Sequence, residues 1–375
     1  MNVGILKEDP RHERRVALTP AAVQSLLHSG NTVYFEKDAG SASHFSDEEY
    51  KAVGAQIVYT SDEVLGRSAI VLKISPPTEN EYSRLLDSQI LFSFLHLAVA
   101  RTQMVETFLR KQICSIGYEV IEDGDGSLPI LQEMSEVAGQ MSIQVAAQYL
   151  ESSNNGRGIV LGGISGVPRA TVAIIGAGTV GQAAARMAIG AGAEVIVFDK
   201  DLNRLRSIRN RFDAKVGTAM INPYNLRKVL RAADVVVGAV LIKGERTPHV
   251  VSEDMVKEMK PGSIIIDVSI DQGGCVETSR PTSLENPTYM MHNVIHYCVP
   301  NMAANVARTA TYGLTNALLP YVADITSKGI DRAIEENPGL ARGVCTFKGQ
   351  FTNSGIARRF EMQSTDIQSL TGSHA

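Results

Sequence analysis

Gly176, Gly178 and Gly181 keep the spacing GxGxxG, with Thr179 and Val180 between the last two. They follow directly on the apolar, β-branched run TVAII and open a stretch rich in small residues, among them Ala183, Ala184, Ala185 and Ala188. A strand-to-helix turn of this composition suits a dinucleotide. The first glycine makes the tight turn, the second lets backbone approach the pyrophosphate, and the third lets helix and strand pack closely. The pyrophosphate meets the helix N-terminus, where unsatisfied N–H groups and the helix dipole favour an anion. Asp199 closes the next apolar strand, about 20 residues further on, where a carboxylate accepts both ribose hydroxyls and repels a 2′-phosphate. The cofactor expected is therefore NAD, although Lys200 and Arg204 stand close enough to the ribose end to leave NADP open.

Other residue types in the chain could handle a small charged substrate. A guanidinium pairs in bidentate fashion with a planar carboxylate, and ERRVALTP with the preceding PRH offers Arg11, Arg14 and Arg15, among which the residues alone do not choose. His96 follows the apolar run ILFSFL at a strand's carboxyl end, where open α/β sheets place their ligands, and imidazole changes protonation near neutrality. Taken alone, such a histidine is more often a hydrogen-bonded residue at a domain edge. SIIIDVSIDQGG carries two acids, Asp267 within the strand and Asp271 just beyond it. A residue past the strand end reaches a cleft more readily, whereas Asp267 could simply anchor the loop. Val240 and Leu241, at the close of DVVVGAVL, are in place to touch a nucleotide ribose through backbone groups. Met134 and Ser135 suit a core methionine and a helix N-cap serine equally well.

Positioning these residues takes two sets of parallel strands. In the first part of the chain NVGIL, TVYFE, AIVLK and ILFSF alternate with helix-like stretches such as Pro20 to Ser29 and Asp47 to Ala52, the pattern of strands joined by helical crossovers. Met134 to Glu151 reads as a long helix, ended by the Gly- and Ser-rich SSNNGRGIVLGGISGVP. A second doubly wound pattern follows in TVAII, EVIVF, DVVVGAVL and SIIIDVS. Beyond Pro300 strand signals stop, and Ala303 to Asp324 reads as one mostly apolar helix returning to the first domain. The tail TDIQSLTGSHA is polar and expected to fray.

Composition narrows the partners. With 36 basic and 40 acidic residues the chain is near neutral, which gives no reason to expect nucleic acid or an anionic membrane and leaves a small metabolite. Four scattered cysteines without a CxxC pair, and a first segment that reads as a strand rather than a leader, suggest reduced thiols in the cytoplasm. No metal-ligand spacing stands out, and no apolar run is long enough to suggest a membrane span.

Beyond these single features, the blocks GILKEDPRHERRVALTP, QILFSFLHLA, YEVI, PILQEMSEVAG, VAIIGAGTVG, DVSIDQGGC and YCVPNMAANVARTATYGLTNA resemble the alanine dehydrogenase family, which shares its architecture with the NAD-binding subunit of proton-translocating transhydrogenase. The blocks span nearly the full length. The resemblance implies an α/β protein of two doubly wound domains, a central Rossmann NAD domain (132–306) inserted in a discontinuous substrate domain (1–131 and 307–375), assembled as a homohexamer. It implies the reversible conversion of L-alanine, NAD and water into pyruvate, ammonium and NADH. By the same resemblance Arg15 holds the carboxylate, His96 polarises the carbonyl and relays protons, and Asp271 is the second acid/base on the nucleotide domain. Met134 and Ser135 contact the nicotinamide end, Asn301 hydrogen-bonds near cofactor and substrate, and Tyr118 and Glu119 have a supporting role. With groups contributed from both sides of a cleft, domain closure would be part of the mechanism.

One position departs from the family. Its members usually carry KxKEP in the strand leading to the cleft, the second lysine contacting substrate, whereas here the stretch is Lys73, Ile74, Ser75, Pro76, Pro77. Ser75, counted with Lys73 among the substrate-binding candidates, can hydrogen-bond but brings no charge, so a substrate oxygen loses a charge-assisted partner worth on the order of 1.5 to 3 kcal/mol. Lys73 shares the strand face of position 75 but lies about 6.5 to 7 Å behind it. The departure keeps two alternatives in view: a dehydrogenase for another small amino or 2-oxo acid, and an NAD(H)-binding subunit of the transhydrogenase kind.

Overall fold

The protein is described by a computed structural model covering residues 1–97, 100–242 and 246–372. It divides into two compact units, Met1–Met134 with Ala304–Ala375, and Ser135–Ala303. In chain order the strands are β1 (Asn2–Ile5), β2 (Thr32–Glu36), β3 (Gln56–Val58), β4 (Ile70–Leu72), β5 (Ile90–Ser93) and β6 (Cys114–Gly117) in the first unit. The second unit holds β7 (Thr171–Ile175), β8 (Glu194–Asp199), β9 (Gly217–Met220), β10 (Val235–Gly238), β11 (Ile264–Asp267), β12 (Thr288–Met291) and β13 (Val294–Tyr297). The chain then adds β14 (Val344–Phe347) and β15 (Gln350–Phe351) to the first.

The first sheet runs β15-β14-β6-β5-β4-β1-β2-β3. Strands β1 to β6 are parallel, and β14 and β15 extend the β6 edge antiparallel. Every residue of β4 and β5 is buried, which is why these strands read as unbroken apolar runs rather than alternating ones: a parallel sheet is covered on both faces. The strand order reverses between β1 and β4, so the crevice that such sheets offer to ligands lies past the carboxyl ends of these two strands.

The second sheet runs β12-β13-β11-β10-β7-β8-β9, parallel except for β12. Its side chains sort strictly by face. Val172, Ile174, Val195, Val197, Val235, Val237, Ile264 and Ile266 join one core, while Ala173, Ile175, Phe198, Val236 and Ile265 join another on the opposite side. Two cores flanking one parallel sheet is the doubly wound arrangement, here with its reversal between β7 and β10.

Several elements differ from the sequence expectation. Strands do not stop at Pro300: β14 and β15 form a short hairpin, with β14 buried at every position and β15 only two residues long, so no alternation marks it in the sequence. The helix expected from Met134 begins earlier, at Pro129, and ends at Tyr149. Ser135 thus lies inside a helix and is not its N-cap. The strand containing DVVV ends at Gly238, leaving Val240 and Leu241 in the following loop. The tail is not wholly frayed: Asp366 caps a helix, Ile367–Thr371, with Ile367 and Thr371 buried, and residues 373–375 lie outside the described set.

The return helix, Ala307–Lys328, positions the functional end of the first unit. Its Thr311 and Thr315, one turn apart on one face, accept the backbone N–H groups of Val16 and Thr19 at 3.2 and 3.1 Å. Ser43 also bonds Thr311, at 3.0 Å, and donates to the Arg14 carbonyl at 2.7 Å. The segment around Arg15 is held from both sides.

Candidate functional site

Burial distinguishes the three arginines. Arg11 is exposed and pairs with Asp9 at 2.6 Å, Arg14 is exposed and donates to the Pro10 carbonyl, but Arg15 is only 3% exposed. Its Nε and Nη2 meet the two Glu13 carboxylate oxygens at 2.8 and 2.7 Å. Nη1 meets the Met134 sulfur at 2.9 Å, and the guanidinium carbon lies 5.5 Å from the centre of the Phe94 ring. A buried ion pair contributes little net stability because desolvation offsets attraction. Its effect here is orientation: a bidentate carboxylate fixes the plane of the guanidinium. A cleft of about 300 Å³ opens beside Glu8, Glu13 and Arg15.

Glu8 joins the two strands at which the first sheet reverses. One oxygen accepts from the Ile74 and Ser75 N–H groups at 2.6 and 3.2 Å, and the other meets Lys73 Nζ at 3.1 Å. Glu81 meets the same ammonium at 3.0 Å. Burial pulls the Lys73 pKa down, but Glu8 and then Glu81 outweigh it, and the pKa stands above the ordinary lysine value. Lys73 is therefore a buried cation whose charge two carboxylates already share. Ser75 is half-buried, and its carbonyl accepts from the Ser93 hydroxyl at 2.9 Å.

His96 is exposed and its φ is +46°, a left-handed backbone conformation that carries strain for a residue with a Cβ. The Glu119 carboxylate holds it there, accepting the His96 N–H at 2.7 Å and the Leu95 N–H at 3.2 Å. The imidazole stacks on Phe94 at 6.1 Å, the ring that Arg15 also faces. Tyr118 completes this aromatic group, edge-on to Phe94 at 5.1 Å. Arg15, His96 and Tyr118 are thus brought together around Phe94, with Met134 against Arg15.

In the second unit the three glycines have separate causes. Gly176 has φ +116°, and a Cβ there would lie 2.2 Å from the Ala239 carbonyl oxygen. A Cβ on Gly181 would lie 1.8 Å from the Gly176 carbonyl oxygen. On Gly178 it would meet nothing within 4 Å, and among the described residues no side chain caps the helix Thr179–Gly190, which opens with Thr179 and Val180. Those two facts fit an incoming pyrophosphate, which needs both the space and the N–H groups. Asp199 is 5% exposed. Its Oδ2 accepts the Ala177 N–H of the glycine loop at 2.7 Å and its Oδ1 accepts the Asp201 N–H at 2.8 Å. Each oxygen keeps a second lone pair for a ribose hydroxyl. Arg204 is exposed, 3.9 Å from Asp201. The Val240 N–H donates to Ser269 Oγ at 2.9 Å, and Leu241 is 49% exposed.

The two acids after β11 separate cleanly. Asp267 is buried and accepts the N–H groups of Ser269, Cys275 and Val276 at 3.1, 2.9 and 3.1 Å; burial pushes its pKa up. It anchors the loop. Asp271 is exposed on the turn Val268–Gln272 and accepts the backbone N–H of Asn301 at 3.0 Å. Asn301, itself at φ +57°, is thereby set beside Asp271.

Sequence reasoning missed the supporting acids Glu8, Glu13 and Glu81, and it gave Glu119 only a general role. Glu13 had a signal in the Glu-x-Arg spacing, but Glu8 and Glu81 meet Lys73 only through the fold. Among the described residues no three His, Cys, Asp or Glu side chains gather as a metal-binding group, and no helix is long and apolar enough to cross a membrane.

The chain matches the family descriptions "Alanine dehydrogenase/PNT, N-terminal domain" over residues 4–138 and "Alanine dehydrogenase/PNT, C-terminal domain" over 142–354. It is 46% identical over 369 residues to an alanine dehydrogenase of Methanococcus maripaludis, covering 98% of this chain and 99% of the relative. Alanine dehydrogenase 2 of Staphylococcus aureus is 43% identical with the same coverage. A solved L-alanine dehydrogenase superposes with a TM-score of 0.92 at 39% identity, covering 96% of this chain and 99% of the other. A transhydrogenase from Sinorhizobium meliloti superposes with a TM-score of 0.80 at 21% identity, covering 94% and 99%, which is a likeness of fold alone. With both domain descriptions matched in order and relatives alike from end to end, the chain belongs to the alanine dehydrogenase/PNT family.

Proposed function

We propose that the protein is an NAD-dependent L-alanine dehydrogenase, running the reversible reaction in which L-alanine, NAD⁺ and water give pyruvate, ammonium, NADH and a proton. The observation that supports it most is the end-to-end likeness, at 46% identity, to an alanine dehydrogenase. The substrate half is assigned to 1–131 and 307–375 and the nucleotide half to 132–306. A homo-oligomer, hexameric by resemblance, acting in the cytoplasm on small molecules completes the proposal.

The bound nucleotide supplies the hydride acceptor. Gly176, Gly178, Thr179, Val180 and Gly181 are assigned to its pyrophosphate, and Asp199 to the adenosine ribose, where its charge disfavours a 2′-phosphate. Arg204, Met134, Ser135, Val240, Leu241 and Asn301 are assigned to the rest of the nucleotide. Arg15, kept in plane by Glu13, holds the substrate carboxylate. His96 accepts the proton lost as amine becomes imine and carbinolamine, and donates one to the carbonyl oxygen in the reverse direction. Asp271 is the second group able to hold a proton, and Asn301 is also assigned to substrate. Lys73 supports the pocket through Glu8 and Glu81, next to Ser75.

The test is NADH oxidation in the presence of ammonium and a panel of 2-oxo acids. Turnover with pyruvate is the expected result. If no acid drives oxidation while NADH still binds, the chain is a nucleotide carrier and the enzyme reading is wrong. A transhydrogenase-like role is not favoured, since at 21% identity only the fold is shared.

A further inference from the structure

Tyr118 stands immediately beyond β6. Its backbone N–H donates to the Ser93 carbonyl at 2.9 Å, and Ser93 Oγ in turn donates to the Ser75 carbonyl at 2.9 Å. Tyr118, Ser93, Ser75 and Glu8 thus form one cross-linked row at the carboxyl ends of β6, β5, β4 and β1. The ring is wholly buried, 6.1 Å from Phe92 and 5.1 Å from Phe94. The phenol oxygen, however, has no hydrogen-bond partner among the described residues. Burial first, and the Glu8 carboxylate second, push its pKa well above the ordinary tyrosine value, while the Arg15 guanidinium opposes them. The hydroxyl is thus a neutral donor, and it lies within the field of the arginine assigned to the substrate carboxylate.

A buried hydroxyl without a partner is unfavourable, because the group has given up water and gained nothing. Phenylalanine would fill the same space without that penalty, and tyrosine in this place points to a partner that comes and goes. An anion drawn to Arg15 brings oxygen acceptors to the neighbourhood of this donor. Ser75 cannot offer such an oxygen a charged donor, and Lys73 is already shared by Glu8 and Glu81. We infer that the Tyr118 hydroxyl donates a hydrogen bond to an oxygen of the bound 2-oxo acid or amino acid, making Tyr118 a substrate-binding residue beside Arg15. The inference rests on the alanine dehydrogenase reading for the nature of the ligand.

The experiment compares the parent protein with Tyr118→Phe in three measurements: thermal unfolding, NADH affinity, and pyruvate affinity in the presence of NADH without ammonium. Loss of an unpartnered hydroxyl leaves the melting temperature unchanged or raised, and NADH affinity is unaltered. Pyruvate affinity falls about ten- to a hundredfold, the effect of losing a hydrogen bond to a charged group. Unchanged pyruvate affinity in Tyr118→Phe overturns the inference and assigns the hydroxyl a purely structural place. Turnover of the parent protein separates this from the functional reading. A parent that binds pyruvate without turning it over sinks the enzyme reading, while the Tyr118→Phe comparison still decides the role of the hydroxyl. A parent that does not bind pyruvate sinks both.

Discussion

Glu119 and His96 are joined through the backbone: the carboxylate accepts the His96 N–H at 2.7 Å while His96 is held at φ +46°. The other carboxylate oxygen takes the Leu95 N–H, so two adjacent amides converge on one anion. Strained backbone of this kind persists only where its surroundings impose it. Glu119→Gln keeps one acceptor but turns an NH₂ donor toward one of the two amides. The expected outcome is a fall of roughly ten- to a hundredfold in kcat with pyruvate, with NADH affinity unchanged. Full activity in this variant would show that the imidazole does not depend on the clamp.

Gly178→Ala and Gly181→Ala should fail in opposite ways. At Gly181 the new methyl would lie 1.8 Å from a backbone oxygen, and stability should fall by about 3 kcal/mol or more. At Gly178 it would meet open space, so the melting temperature holds while NADH affinity falls. Calorimetry and NADH titration on both variants check the contrast, and retention of NADH binding by Gly178→Ala would count against a pyrophosphate at that turn.

Lys73→Met leaves Glu8 buried beside an apolar side chain, and breaking a buried pair in this way costs about 3 to 5 kcal/mol. Adding Glu8→Gln should recover much of the loss in denaturant unfolding. A Lys73→Met protein as stable as the parent would mean that Glu8 is protonated in the fold.

His296 makes stability depend on pH. It is fully buried, its Nδ1–H donates to the Val294 carbonyl at 3.0 Å, and Nε2 accepts from the Thr278 hydroxyl at 2.8 Å. Burial holds its pKa down at about 4, against 6.5 for an ordinary histidine. Below pH 6.5 the unfolded chain binds a proton that the folded chain refuses. This stabilisation is complete above 6.5 and is lost as pH falls toward 4, a change on the order of 3 kcal/mol. Urea unfolding of His296→Gln should show a flatter profile over that window, and an identical slope would remove His296 from the account.

Asp199→Gly removes the charge that disfavours a 2′-phosphate and should admit NADP in the turnover assay. If the unmodified protein already uses NADP as well as NAD, the assignment of Asp199 fails.

The strand-to-helix turn was legible in the sequence almost completely, since the tight turn at Gly176, the close packing at Gly181 and the place of Asp199 at the end of β8 follow from local spacing. Apolar runs such as IVL and ILFS showed the buried strands for the same reason. What eluded it depends on distant pairing. Glu8 is 65 positions from Lys73, and Glu119 is 23 from the His96 amide it secures, so no window along the chain displays either bond. The hairpin β14 and β15 was missed because its place is set by pairing with β6 rather than by its own pattern.

The long helix Ala307–Lys328 gives the first unit an unusual schedule of assembly. On the ribosome the Arg15 segment emerges almost at once, yet the threonines that tie it down at Val16 and Thr19 are translated nearly 300 residues later, at Thr311 and Thr315. The second unit is one uninterrupted stretch of chain, so it can complete its fold first, as domains generally do once fully synthesised. Until the last fifth of the protein is made, the Arg15 segment waits as an unfastened loop.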